Sequence, residues 1–376
     1  VCSSDLSTCA RNNSRVAISK VSQLKTALIF GVTGQDGSLL AKRLLMDGWK
    51  VYGGYRRGFG KLWRLDELGI TQKIELIDYE IGNGQEIAYF LKKNYFDHIY
   101  HLAGLSRTFD SFNHPNSYLS INLTGVLEIL EACKLEKIKS RIFIAGSSEI
   151  FSGIEGKLIV DEDTEMKPSN PYGVSHVAIR HLARIYREVH GIPIYYGILF
   201  NHESYFRDSI FITKKIAEFF GKITDKQETV LQIGNIDSKR DWGLASEYVD
   251  AMYLLMSNGL PPEDYVFATG VVSSVRSLIL EFAKFRNFEI EFDVRDGVEV
   301  GLDKKSGRIV VETAAKYLRL ADSAVIAGNS TKLSRRTNLI VAIFLTCSVV
   351  ANNMADDDGC VCFRRTQSYH CYGSLH

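Results

Sequence analysis

From Thr26 onward, short apolar runs alternate with longer stretches whose apolar residues recur at helical spacing. No other feature restricts the fold as strongly. "TALIFGVT", "KVYGGY", "KIELID", "HIYHLAG", "RIFIAGS" and "PIYYGILF" are rich in Ile, Val, Leu, Tyr and Phe and read as buried strands. Between them, "SLLAKRLLMDG", "GQEIAYFLKKNY", "SYLSINLTGVLEILEACKLEK" and "SHVAIRHLARIYREVHG" read as helices. Strand–helix alternation predicts an α/β chain with a Rossmann-type doubly wound parallel sheet, helices on both faces. After Phe200 the alternation loosens into a charged, aromatic stretch (Asn201 to Lys226), then "VLQIGN", "LASEYVDAMYLLMSNG" and "YVFATG". The reading is a nucleotide-binding domain over 25–200, with about 236–258 returning to it, and a smaller interleaved C-terminal substrate domain over 201–335. Ligands of open parallel sheets bind beyond the strand C-termini, so the cleft between the domains is the expected site.

Lys and Arg number 45 against 44 Asp and Glu, a net charge of +1, so no electrostatic case exists for nucleic acid or an anionic membrane. Of the seven cysteines only Cys133 lies between Cys9 and Cys347, which predicts a reducing, cytoplasmic body without a disulfide framework. Cys360 and Cys362 lack a second pair at metal spacing, and no metal is expected. Residues 1–24 lack the apolar run of a signal peptide. "LIVAIFLTCSVVA" (Leu339 to Ala351) is shorter than the ~20 residues a membrane span needs, and residues 352–376 show no helical or strand period. Residues 1–24 and 336–376 are both expected to lie outside the fold.

"TALIFGVTGQDGSLLAKRLL" sets Gly31, Gly34 and Gly37 between a strand and a helix. Three glycines alone also make a plain tight turn. In this setting they let a pyrophosphate approach the backbone and meet the N–H groups of a helix N-terminus. The second strand ends in "YRRG", so Arg56 and Arg57 stand where a 2′-phosphate would need cations, and NADP is the expected cofactor. A solvated surface pair is the plainer reading of the same two arginines. Asp78, ending "KIELID", could receive the adenine amino group, and Ser106 is counted with the cofactor residues.

"SNPYGVSHVAIRH" (Ser169 to His181) places Tyr172 and His176 four residues apart, on one helix face. A tyrosine in this role is expected to have a lysine four residues on, whose fixed charge lowers the phenol's pKa and holds a cofactor sugar. Histidine, with an ordinary pKa near ~6.5, is mostly uncharged at neutral pH and has a shorter reach. "IAGSSEIF" adds Ser147, able to hold a substrate oxygen beside Tyr172, and Glu149, able to act as acid or base. Taken alone, that serine–glutamate cluster is ordinary capping chemistry.

"GVTGQDGSLLAKRLL", "RRGFGKLWRLDELGI", "SSEIF", "NPYG", "GILFNHES", "IGNIDSKRDWGLASEYVDAMY" and "VFATGVVSSVR" resemble the GDP-mannose 4,6-dehydratases, of the extended short-chain dehydrogenase/reductase superfamily. "ILFNHES" and "KRDWG" carry the resemblance most specifically. It implies GDP-mannose as substrate and tightly held NADP, with Tyr172 taking the 4-hydroxyl proton and Glu149 removing the C5 proton. For the nucleotide-sugar it points to Asn201, Glu203, Lys215, Arg240, Arg276 and Arg319, with Asp322 where the family has glutamate. The "RRGFGKLWRL" segment matches a loop that members use in forming dimers and tetramers, which implies a homodimer or homotetramer. Ser147 stands in place of the family's usual threonine, His176 in place of its lysine, and "SYFRDS" in place of a more basic loop.

Overall fold

A computed structural model of the protein describes residues 24–56, 58, 61–156, 159–223, 229–318, 325–339 and 341, and the strands at 361–365 and 368–372. The strands of the body follow one another as β1 (Thr26–Phe30), β2 (Lys50–Tyr55), β3 (Ile74–Asp78), β4 (His98–His101), β5 (Arg141–Ala145), β6 (Ile159–Val160), β7 (Ile194–Leu199), β8 (Asn201–Glu203), β9 (Leu231–Ile233), β10 (Lys239–Leu244), β11 (Asp264–Phe267), β12 (Val272–Ser274), β13 (Ile290–Arg295), β14 (Val298–Asp303), β15 (Ile309–Thr313) and β16 (Ala327–Gly328). The helices are α1 (Gln35–Met46), α2 (Trp63–Glu67), α3 (Gly84–Lys93), α4 (Thr108–Asn113), α5 (Pro115–Leu135), α6 (Pro171–His190), α7 (Ile212–Lys222), α8 (Ala245–Ser257), α9 (Val275–Phe285) and α10 (Thr331–Thr337).

Seven strands form one sheet in the order β11-β7-β5-β4-β1-β2-β3, and every pairing in it is parallel. Two apolar cores lie on its two faces. One includes Leu28, Ile99, Ile144 and Ile179; the other includes Ile29, Tyr100, Phe143 and Met252. Alternate residues of a single strand therefore serve opposite cores, which is why these strands read as unbroken apolar runs. The strand order turns back between β1 and β4, which opens the crevice where α/β folds take their ligands.

A second sheet, β13-β14-β15-β9, packs with α7 and α9 around Ile216, Phe220, Trp242 and Phe282. A three-stranded sheet, β12-β10-β8, stands between the two lobes and carries Asn201, Glu203 and Arg240. Packing continues past residue 335: Thr337 and Val341 are buried, and Val341 joins Leu333 in the core that contains Met252. Farther on, Val361–Arg365 and Ser368–Tyr372 pair as an antiparallel hairpin, where the sequence shows no strand period. Five residues of alternation are too few to stand out from background.

Candidate active site

The glycine turn is shaped by contact. Gly31 has φ 86°, and a Cβ on it would lie 2.9 Å from the Ala103 nitrogen. A Cβ on Gly37 would meet the Gly31 carbonyl oxygen at 2.2 Å, so only glycine lets α1 start this close to β1. Gly34 is the N-cap of α1 and no side chain caps the helix, which leaves its first amides for an anion. These features fit a dinucleotide pyrophosphate. Arg56 follows β2, and Asp78 ends β3 in register with Tyr55. Arg57 lies outside the described residues. Ser106 is exposed on the loop after β4. Next to it, Leu105 is pinned by Asn122, which accepts from the Leu105 N–H at 2.8 Å and donates to its carbonyl at 3.1 Å.

The four catalytic candidates converge. Helix α6 begins at Pro171, whose missing N–H costs nothing at that position, and ends at Gly191 in the left-handed conformation. Its N-cap, Asn170, accepts from the Gly173 N–H at 2.8 Å and donates to Glu149 Oε2 at 2.8 Å. One side chain thus both starts the helix and holds the carboxylate. A Cβ on Gly173 would lie 2.5 Å from the Glu149 carbonyl oxygen, so this glycine lets α6 approach the serine–glutamate turn. The Ser147 hydroxyl accepts from the Glu149 N–H at 3.2 Å and hydrogen-bonds the Tyr172 phenol. Burial pushes that phenol up to about 12, outweighing the opposing effects of Ser147 and the Arg207 charge.

His176 meets Tyr172 edge-on, with ring centroids 4.6 Å apart. Its Nδ1 is buried without a hydrogen-bond partner, as are both ring nitrogens of His101. Burial, aided by His101, pushes the His176 imidazole down to about 3, and burial pushes His101 down to about 4. His176 is therefore a neutral ring beside the phenol.

The substrate candidates are more dispersed. Asn201 and Glu203 lie on β8, and the buried Glu203 accepts from Thr213 Oγ1 at 2.7 Å and pairs with Arg207 at 3.1 Å. Burial raises its pKa despite both partners. Lys215 donates to the Gln232 carbonyl at 2.6 Å and lies 3.8 Å over the Tyr317 ring, on the wall of a cavity of about 540 Å³. Arg276 pairs with Asp237 at 2.9 Å and Glu299 at 2.5 Å, while Arg240 Nη1 donates to the Lys239 carbonyl at 2.6 Å. Arg319 and Asp322 lie outside the described residues.

Several residues at the site carry no role in the sequence reading. Asn170 has the Asn-Pro signal of a capped helix start, but nothing local shows that it reaches Glu149. Arg207 and Arg64 line a cavity of about 640 Å³ with Thr33, Gly34 and Lys214, beside the glycine turn. Arg64 donates to the carbonyls of Thr33 at 3.0 Å and Phe206 at 2.8 Å, joining that turn to the loop after β8. Asp36 and His202 are hydrogen-bonded across 166 residues of sequence, a contact without any local signal.

Fold and site together define a Rossmann-type chain with the tyrosine–serine arrangement of the extended short-chain dehydrogenase/reductase class. DesIV, the dTDP-glucose 4,6-dehydratase of Streptomyces venezuelae solved with NAD and TYD bound, shares the fold at a TM-score of 0.72 and 15% identity, over 88% of this chain and 96% of that one. RMD from Pseudomonas aeruginosa, complexed with NADPH, shares it at 0.67 and 20% identity, over 88% and 98%. The sequence decides within the class: residues 28–340 match the family model described as GDP-mannose 4,6 dehydratase, and the chain belongs to that family. The GDP-mannose 4,6-dehydratase of Sinorhizobium fredii (strain HH103) is 34% identical over 328 residues, covering 82% of this chain and 90% of that protein.

Proposed function

We infer that the protein converts GDP-mannose to GDP-4-keto-6-deoxy-mannose and water, with NADP as resident cofactor. The observation that carries this reading is the joined set of Ser147, Tyr172 and Glu149, with Asn170 fixing the carboxylate. The first turn of α1 would hold the cofactor pyrophosphate, and Arg56 with Arg57 would meet the 2′-phosphate that separates NADP from NAD. When bound, the nicotinamide supplies the site that takes a hydride from sugar C4 and returns it to C6.

Tyr172 takes the 4-hydroxyl proton while Ser147 holds that oxygen. The resulting ketone acidifies C5–H, and Glu149 removes this proton and delivers it to the departing C6 hydroxyl as water. The proton held by Tyr172 is then the one available to C5, which closes the balance. A neutral His176 cannot lend Tyr172 a fixed positive charge, so turnover at neutral pH is slow. The same observation supports a second reading, a relative that binds both ligands and turns over negligibly. The "RRGFGKLWRL" loop fits assembly into a homodimer or homotetramer.

Purified protein, supplied with GDP-mannose labelled with deuterium at C4, should yield a 4-keto product carrying that deuterium at C6. Product without transfer of the label would sink the internal-hydride mechanism. Tight binding of GDP-mannose with no product at any pH, in both the parent protein and His176→Lys, would establish the binding-only reading.

A further inference from the structure

His202 lies on β8 between Asn201 and Glu203, and only 8% of it is exposed. Its Nδ1 faces the Phe200 carbonyl oxygen at 2.7 Å and its Nε2 faces Asp36 Oδ2 at 2.8 Å. A carbonyl oxygen only accepts, so Nδ1 carries a hydrogen. An ionised carboxylate also only accepts, which demands a second hydrogen on Nε2, and a neutral imidazole has one. Either the ring is doubly protonated or Asp36 carries the proton between them.

The surroundings favour the charged ring. Asp36 Oδ1 accepts from Gln35 Nε2 at 3.1 Å, a bond that supports the ionised carboxylate. Burial opposes ionisation of Asp36, yet the charge and hydrogen bond of His202, with the Gln35 bond and the Arg207 charge, together outweigh it and hold the carboxyl below its ordinary range. Burial likewise opposes protonation of His202, and Asp36 outweighs it in turn. Tyr248 of α8 stacks on the ring with centroids 4.4 Å apart. Arg207 disfavours the imidazolium but favours the ionised Asp36, Arg64 also interacts with the Asp36 charge, and Glu203 lies next to His202 in the chain.

We propose that His202 is an imidazolium bound to Asp36, and that this buried ion pair couples the cofactor turn to the strand that carries the substrate residues. Asp36 sits in the first turn of α1, where a lone carboxylate would repel the diphosphate that the turn otherwise suits. The imidazolium cancels that charge from below. Two further bonds run along the same path: Gln35 Nε2 donates to the His202 carbonyl at 3.2 Å, and Ser204 Oγ donates to Gln35 Oε1 at 2.8 Å. A shift of the α1 turn therefore moves 202–204 with it. His202 is a positioning residue and touches no reacting atom. The ion pair stands apart from the dehydration reaction, whereas the coupling of the two ligands rests on that reading of the site.

The sign of the pH dependence is set by the pair. It is complete above the lowered pKa of Asp36 and fails as pH rises through the raised pKa of His202. Beyond that point the uncovered carboxylate should weaken cofactor binding, by up to about tenfold per pH unit in the titration range. Histidine labelled with ¹³C at Cε1 in the full chain, with His202→Gln to assign the signal, reads the protonation directly. The His202 signal should keep the imidazolium position at pH 7, above the ordinary titration near ~6.5, and move to the neutral position in Asp36→Asn. If His202→Gln does not fold, the signal that responds to Asp36→Asn gives the assignment. A neutral His202 signal at pH 6, or no response to Asp36→Asn, overturns the ion pair.

Calorimetric titrations with NADP and with GDP, each alone and with the other saturating, read the coupling. NADP affinity should fall as pH rises in the parent and be flat in both variants, and the mutual enhancement of the two ligands should shrink several-fold. Unchanged enhancement in both variants overturns the coupling even if the ion pair stands. If the parent binds neither ligand, the reading of the site fails, and the labelled-histidine measurement still decides the ion pair.

Discussion

His176 and His202 are buried to nearly the same degree, 7% and 8% exposed, and the protein drives them to opposite charge states. Around His176 the neighbours are Tyr172, edge-on, and His101, a second imidazole that is itself pushed down by burial. Nothing among the described residues offers it a carboxylate, and its Nδ1 has no partner. Around His202, Asp36 is 2.8 Å away and the other nitrogen has its own acceptor. Burial always disfavours the charged ring; whether it wins depends on what replaces the lost water. His176 is buried against aromatic rings without a charged partner, and the region under the cofactor turn is built from paired charges.

The largest expected effect lies in the charged region. Arg207→Met removes the cation 3.1 Å from Glu203 and leaves that buried carboxylate with the Thr213 hydrogen bond and the more weakly acting His202. It should cost about 3–5 kcal/mol of folding stability, the range for breaking a buried pair. The folded pKa of Glu203 is already raised and would rise further. Its stabilisation is then present below the unfolded pKa and lost as pH rises, so urea melts should show a larger loss at pH 8 than at pH 5. An equal loss at both would mean that Glu203 never ionises in the fold.

Next comes the catalytic corner. His176→Lys should raise dehydration of GDP-mannose by about 10²-fold, within the range for a positioned acid–base group. The parent rate should climb through pH 7 to 9, because a phenol pushed up to about 12 gains phenolate throughout that interval. The lysine variant should reach its plateau at lower pH. A parent enzyme most active below pH 6.5 would instead require protonated His176, and the contrast between the two histidines would collapse.

His176→Leu sharpens the same contrast through stability. The folded pKa of His176, about 3, lies below its unfolded value, so the parent loses stability as pH falls past the unfolded pKa near ~6.5. The variant should escape about 2 kcal/mol of that loss at pH 5 and stay within about 1 kcal/mol of the parent at pH 8. Identical acid sensitivity in the two proteins would show that His176 is already charged in the fold.

The smallest effect belongs to the link between helix and carboxylate. Asn170→Ala removes the cap of α6, worth about 1 kcal/mol, together with the 2.8 Å bond to Glu149. Turnover should fall more than this stability loss implies, because the Glu149 carboxylate loses the bond that fixes its Oε2. A fall confined to stability would make Asn170 a helix cap and nothing more.

The sheet was legible in the chain because its signals are local. Runs such as "TALIF" and "RIFIA" show two-sided burial by their composition, and the spacing of Tyr172 and His176 fixes a shared helix face before any packing is known. Glycines 31, 34 and 37 announce a close turn for the same reason: backbone space and φ are properties of a few consecutive residues. An ordinary histidine pKa already leaves His176 mostly uncharged at neutral pH; how far the fold lowers that pKa was not legible. It depends on how deeply the fold buries the ring and on His101, 75 positions away. The partnership of Asp36 with His202 and the hold of Asn170 on Glu149 were equally hidden, since each joins segments that only the closed fold brings within hydrogen-bond reach. The sequence by itself determined the strand–helix alternation of the parallel sheet, the close glycine turn and the shared helix face of Tyr172 and His176. The tertiary structure alone decided how far their pKa values shift, because a pKa is set by burial and by the partner across the fold, and neither is a property of neighbouring residues in the chain.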